Sequence, residues 1–326
     1  MRRLLWMIPL LWAVATITFF LMHAVPGGPF DQEKKLPPQV LANLNAKYNL
    51  DKPLLEQYVL YLWDLVPLKA DFPPVKTPDL GVSFRTNQPV QDRIEVGFKV
   101  TAQLGVVAFL YALVIGMSLG VIAALNQNRM GDYLGVFFAT IGTALPSFII
   151  ATFLVVIFSV KLGWFTVLGW GGPPAFPWDA PFWDPGNWHI RQMVLPVISL
   201  GTLPAAYIAR ITRASLLEVL GQDYIRTARS KGLTEWVVIL RHTVKNALVP
   251  VLTVIGPIFA FLVTGSFIVE QIFSIPGVGR AFVRAVFDRD YGMIMGTVLF
   301  YAVIVAVANL VVDVLYAAVD PRIRYG

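Results

Sequence analysis

The chain contains no cysteine. That excludes disulfides, thiolate nucleophiles and cysteine-based metal sites, while leaving the compartment open. Histidine is nearly absent too: His23, His189 and His242 lie far apart and lack metal-ligand spacing of the HExxH kind. Charge is scarce, at 14% of residues, where a soluble domain carries about 25%. No G-x4-GK[ST] phosphate loop occurs, so the chain cannot hold ATP by that device. These deficits argue against a soluble enzyme, a disordered chain and a nucleic-acid module. The isoelectric point near 9.5 would suit a polyanion partner only until the charges are placed.

What the chain has instead is apolar length. Of its 326 residues, 56% are hydrophobic, and the mean hydropathy is +0.65. A bilayer core about 30 Å thick needs about 20 mostly apolar residues per helix. Six such stretches stand out: Leu4 to Val25, Thr101 to Leu125, Tyr133 to Val160, Gln192 to Ala209 (with Pro196 and Pro204), Ala247 to Val269 (with Pro250 and Pro257), and Gly292 to Val319, which carries one charge, Asp313. The expected fold is an all-α membrane protein with six transmembrane helices and a single transmembrane domain over 1–326. The first stretch follows Arg2 and Arg3 and so could be a cleaved leader. It is longer than the usual apolar core of a signal peptide, and no A-x-A-like site follows it.

An even number of spans puts both termini on one side, and basic residues favour the cytoplasm. With both termini inside, the inner connections hold twelve Lys and Arg against five Asp and Glu, while the outer segments hold fourteen of each. The basic isoelectric point is therefore an orientation signal rather than a nucleic-acid footprint.

The connections differ in kind. The outer segment 26–98 is polar and proline-rich. Within it Asp51 can cap a helix with Pro53 in its first turn, running through Leu54, Tyr58, Tyr61, Leu62 and Leu65. That aromatic face suits either the outer leaflet and neighbouring loops or an external partner. The outer segment Leu162 to Ile190 holds Trp164, Trp170, Trp178, Trp183 and Trp188, a composition expected at a membrane–water boundary. In the inner connection 210–246, Leu216, Leu217, Leu220, Tyr224 and Ala228 recur at helical spacing as one apolar stripe, with Arg226, Arg229 and Lys231 off it. Gly232 stands where a helix end requires positive φ, with Leu233 as the apolar residue beyond. Thr234 can cap a second helix, with Glu235 in its first turn. The spacing predicts a short cytoplasmic helix between the fourth and fifth spans, ended by glycine. An interfacial amphipathic helix on anionic lipid fits the same residues.

At this point the chain resembles a family, the permease subunits of bacterial ATP-binding-cassette importers in the dipeptide/oligopeptide/nickel group. The general signature of such permeases, EAA-x3-G-x9-I-x-LP, is poorly kept. Arg226, Thr227 and Ala228 stand at the EAA positions, Gly232 matches, and His242, Thr243, Val244 and Lys245 stand at I-x-LP. The peptide group's own version, DYIRTARxKGL then RHxxxNALxP, is kept as Asp223 to Leu233, Arg241-His242, Asn246-Ala247-Leu248 and Pro250. Further pieces follow in order. His23 to Pro29 resembles HxxPGDP with Gly28 replacing Asp, and Asp79-Leu80-Gly81-Val82-Ser83 with Pro89-Val90 resembles DLGxS…PV. Leu145-Pro146-Ser147-Phe148 lies in the third span. Val269 to Arg280 resembles VExIFxxPGxGR, Arg289-Asp290-Tyr291 resembles RDYP with Gly292 in place of Pro, and Asn309, Asp313 and Asp320 to Tyr325 resemble the C-terminal pattern.

The resemblance implies a type I importer permease fold in the bacterial cell (inner) membrane, crossing it several times. It implies a transport subunit without enzymatic activity. It also implies a second homologous permease, two ATP-binding subunits (or one homodimer) that bind ATP and Mg, an extracytoplasmic substrate-binding protein, and no nucleic acid. This chain would hold no cofactor or metal and would form half of a pathway for di- or oligopeptides. Nickel complexes, glutathione and other small solutes are the alternative cargo. Asp223, Tyr224, Arg226, Thr227, Ala228, Arg229, Lys231 and Gly232 would form the ATPase-docking helix. For a gate or pathway the candidates are Pro146, Pro250, Pro257, Glu270, Asn309 and Asp313. Pro250 and Pro257 remove backbone bonds and so kink the fifth span. Asn309 and Asp313 share a face, where a structural pair is the plainer reading. Glu270 could serve an outer gate, the external binding protein or a cap in the following loop. Two rivals belong to other classes. A stand-alone secondary transporter or channel would need ionisable groups at mid-membrane, and the spans hold almost none. An intramembrane serine protease would need Ser266 paired with a histidine, and all three histidines fall at span ends.

Overall fold

The computed structural model describes residues 2–30, 37–66, 78–165, 170 and 190–319, the side chains of 2–4, 190–191 and 312–319 excepted. Trp178, Trp183, Trp188 and the C-terminal pattern from Asp320 onward lie outside the described residues. Within them the chain is helical: α1 (Arg2–Ala24), α2 (Pro38–Lys47), α3 (Leu54–Leu65), α4 (Val90–Leu125), α5 (Met130–Ala144), α6 (Ser147–Leu154), α7 (Ile190–Leu220), α8 (Asp223–Ser230), α9 (Glu235–Val237), α10 (Lys245–Val263), α11 (Phe267–Ile272), α12 (Val278–Asp288) and α13 (Tyr291–Val319). Wider π-helical turns extend α6 over Val155–Lys161 and join α9 to α10 over Val238–Val244. The β-type pairing among the described residues is one isolated antiparallel bridge, Val82 with Pro89.

Five helical stretches are long and apolar enough to cross a bilayer, and a bent pair makes a sixth if it counts as one span. That pair is the expected third span, 133–160. It is not one straight helix: α5 ends at Ala144, and Met130–Ala144 and Ser147–Lys161 meet at 105°. The cause is Pro146. The residue before a proline is pushed out of the helical region, and Leu145 is extended at ψ 123°. Two spans are also longer than their apolar cores. α4 begins at Val90 rather than near Thr101, and α7 runs on to Leu220 rather than ending at Ala209. Polar ends stay helical because each backbone group is satisfied within the helix.

The chain forms two compact units. The first comprises Met1–Phe98 and Gly277–Ala306, and the second Lys99–Pro276 and Val307–Gly326. Aromatic contacts and polar stitches hold the first. Phe19 of α1 stacks on Tyr61 of α3 at 5.7 Å between ring centres, Thr16 and Tyr58 share a hydrogen bond of 2.7 Å, and His23 meets Gln57 at 3.2 Å. The expected helix α3 is present, but Pro53 itself, not Asp51, occupies its N-cap position, and no side chain caps it. A fully buried core of Val90, Ile94, Val278, Ala285, Met293 and Ile294 lies beneath.

The second unit is held by close helix approach. A β-carbon on Gly105 would collide with the Leu262 carbonyl. One on Gly116 would lie 2.6 Å from the Ala205 carbonyl oxygen, and one on Gly120 2.7 Å from that of Ala209. Between helices in lipid, where no hydrophobic drive exists, small residues let backbones meet. Around these contacts pack Leu104, Ala108, Leu200 and Leu262, then Ala112, Ala205, Ile208 and Val251.

Candidate functional site

The short inner helix is α8. It begins after a break at Gly221-Gln222, so the apolar stripe expected from Leu216 to Ala228 is divided between α7 and α8 rather than running along one helix. The face that packs is Ile225 and Ala228, buried against Val238. Tyr224, expected on that stripe, is instead 43% exposed, and its hydroxyl accepts from Asn246 Nδ2 at 3.0 Å. The two halves of the peptide-type motif, some twenty residues apart in sequence, therefore meet side chain to side chain.

Gly232 stops α8 as expected, with φ +77°. Leu233 N–H reaches the Ala228 carbonyl at 3.4 Å and Gly232 N–H the Arg229 carbonyl at 3.0 Å. Those are the two reverse bonds of a Schellman cap, which needs a left-handed residue at the glycine position. No other atom lies within 4 Å of where a β-carbon on Gly232 would be, so the backbone angle, not crowding, demands glycine. Thr234 sits at the N-cap of α9 but makes no side-chain cap bond.

The basic residues of α8 have separate fates. Arg229 forks onto Glu235, Nη2 to Oε1 at 2.5 Å and Nε to Oε2 at 3.2 Å. That hydrogen bond is the first cause holding its guanidinium above the ordinary arginine value. Arg226 stays 76% exposed, with Asp223 3.7 Å away. Lys231 and Thr227 are exposed as well. The surface thus offers Arg226, Thr227 and Lys231 outward, while Arg229 braces the turn.

The remaining candidates are scattered. Pro146 breaks the third span. Pro250 and Pro257 are exposed on α10, and Thr253 Oγ1 donates to the Pro250 carbonyl at 2.6 Å. Glu270 is fully buried on α11 and accepts from Thr101 Oγ1 of α4 at 2.9 Å. Asn309 is exposed on α13, and the side chain of Asp313 lies outside the described residues. Ser266, the nucleophile of the protease rival, is the N-cap of α11, its hydroxyl accepting from Val269 N–H at 3.3 Å.

Two clusters escape sequence reasoning. Asp132 of α5 is buried and takes both Nε and Nη2 of Arg213 of α7, at 2.6 and 2.8 Å, while accepting Asn128 N–H at 3.0 Å. Read as inner-loop charges, the two residues gave no sign of facing each other across 81 positions. In the first unit, buried Asp290 caps α13 through Met293 N–H at 3.2 Å and accepts Phe84 N–H at 2.9 Å and the Ser83 hydroxyl. The DLGxS and RDY pieces, about two hundred residues apart in sequence, are two sides of this one contact.

The arrangement is that of a multi-span helical membrane protein with a glycine-stopped helix on the connection between α7 and α10. Residues 116–325 match the family described as binding-protein-dependent transport system inner membrane component, and residues 1–105 match its N-terminal counterpart. The chain belongs to this family, the permease subunits of ABC importers, and is a multi-pass protein of the bacterial inner membrane. It is 42% identical over 325 residues to the oligopeptide transport system permease protein OppB of Haemophilus influenzae, covering 99% of this chain and 98% of that one. It is also 42% identical over 327 residues to the dipeptide transport system permease protein DppB of Bacillus subtilis, covering 98% and 97%. Among solved structures it is similar to an inward-facing MetNI methionine ABC transporter, with a TM-score of 0.55 at 19% identity over 71% of this chain and 97% of that one. The fold is that of a type I importer permease.

Proposed function

We propose that this chain is one of two permease subunits in an ATP-driven peptide importer, and that α8 with Lys231 and Gly232 is the surface gripped by an ATPase subunit. The carrying observation is α8 itself: an eight-residue helix anchored inward by Ile225 and Ala228, stopped by the Gly232 cap, and presenting Arg226, Thr227 and Lys231 outward. Full-length identity to OppB and DppB proteins supports peptides as the cargo. The energy source is ATP and Mg held by separate subunits, because this chain carries no phosphate loop. A second permease completes the pathway, and an extracytoplasmic binding protein delivers the peptide. Motion enters through α8. Its apolar seat and the Arg229–Glu235 fork make it move with the chain on either side.

The test is co-purification and import with Arg226→Glu and Lys231→Glu combined. The expected result is loss of ATPase subunits from the purified complex and loss of peptide uptake, with the permease pair still assembled. Full ATPase recovery together with wild-type uptake would overturn the docking surface.

A further inference from the structure

Arg210 stands on α7 in an unusual setting. Its Nη2 donates to Thr143 Oγ1 of α5 at 2.9 Å, while the Thr143 hydroxyl donates its own proton to the Ala139 carbonyl at 2.9 Å. Among the described residues no carboxylate pairs with Arg210, and its side chain is exposed. Its depth follows from the packing. Arg213, three residues further on, grips Asp132 near the inner start of α5. Thr143 lies eleven residues beyond Asp132 along α5, which is roughly 16 Å at the helical rise. With the Asp132–Arg213 pair set at the inner edge of a core about 30 Å thick, that is near the middle. Arg210 leans toward the helix N-terminus, as helical side chains do, and so away from the nearer, inner surface to which a lipid-facing arginine would snorkel. It reaches the level where Pro146 breaks α5.

Its neighbours complete the pattern. α7 is mostly buried, and its exposed positions from mid-helix onward form one stripe: Leu203, Tyr207, Arg210, Ala214 and, near the helix end, Glu218. A stripe facing hydrocarbon would carry no charge at this depth. An intramembrane cation faces the bundle interior or a water-filled cavity. A guanidinium has five N–H donors in a fork that matches a carboxylate, and Thr143 uses one of them.

We infer that the Arg210 stripe lines the translocation pathway and that Arg210 receives the carboxylate of the passing peptide, a group that every linear peptide carries whatever its sequence. The inference rests on the peptide reading above and adds a contact residue to it.

The chain has no cysteine of its own, so Arg210→Cys, in the complete complex with cysteine-free partners, can be probed with a membrane-impermeant cationic thiol reagent. Aqueous labelling that peptide slows supports the inference. No labelling in either the nucleotide-free or the ATP-trapped complex overturns it, since the position would then face lipid or the second permease. In parallel, uptake of a tripeptide with a free C-terminus is compared with uptake of its C-terminal amide, each at saturating concentration. Arg210→Gln should lower uptake of the free acid by about tenfold, the worth of one charge-assisted hydrogen bond, and change uptake of the amide by less than about twofold. Arg210→Lys should restore part of the loss. Equal effects on both peptides, or none, overturn the inference alone. A wild-type complex that imports neither peptide overturns the peptide reading, and this inference with it.

Discussion

The two compact units of this chain hold themselves together by different physics. In the first, aromatic rings stack between α1 and α3, and a buried Asp290 gathers the Ser83 hydroxyl and the backbone of Phe84 and Met293. In the second, backbones approach across glycine, and one carboxylate–guanidinium fork, Asp132 with Arg213, ties α5 to α7. Part of the difference follows the solvent, since the first unit adds the short helices α2, α3 and α12 to the spanning helices α1 and α13. A segment next to water gains by burying large apolar rings. A helix in lipid gains nothing from that and coheres through close packing and satisfied polar groups. The balance of residue choice therefore differs between the units: ring contacts are prominent in the first, where Gly97 and Gly292 also let backbones meet, and glycine contacts between long helices are prominent in the second.

Adding bulk at the tightest glycine contact of the second unit should have the largest effect. Gly105→Leu sets a side chain against the Leu262 carbonyl, a backbone atom that cannot swing aside. The expected outcome is failure to recover assembled permease from membranes, while Leu110→Ala, at an exposed position of the same helix, leaves the yield unchanged. Next in size is Asp132→Asn, which leaves Arg213 partly buried without its counter-charge. Removing one member of such a pair costs about 3–5 kcal/mol, read as a lowered unfolding midpoint in detergent. Smaller still is Asp290→Asn in the first unit. It keeps the size and one acceptor oxygen but loses the charge behind the cap and the loop stitch. Hydrogen bonds to charged groups contribute about 1.5–3 kcal/mol, so protease sensitivity of the Ser83–Gln88 turn should rise while the second unit's midpoint stays within error. A midpoint that moved equally with Asp290→Asn and with Asp132→Asn would mean the two units do not differ as described.

Much of this was legible beforehand because it is written in one dimension. Five of the six apolar stretches appear as continuous spanning helices, since length and hydropathy alone decide whether a helix suits a bilayer. The stop at Gly232 was readable because positive φ is a local demand. What failed were statements needing neighbours. The stripe from Leu216 to Ala228 looked like one helix because periodicity does not register the break at Gly221-Gln222. The pairing of the exposed Arg229 with Glu235 was not readable because the two meet around a turn. Asp51 looked like a cap because the pattern permits it, yet the chain enters the helix later, at Pro53.

Length, hydropathy, local backbone geometry and ordered motifs are enough to read that this protein lives in a bilayer, where α8 stops and which permease family it belongs to. It took the packed helices to show that Asp132 grips Arg213, that Ser83 meets Asp290, that the third span folds over Pro146, and that Arg210 donates to Thr143. Those are distances between residues far apart along the chain, and angles between helices, and no local preference encodes a distance that arises only when helices pack.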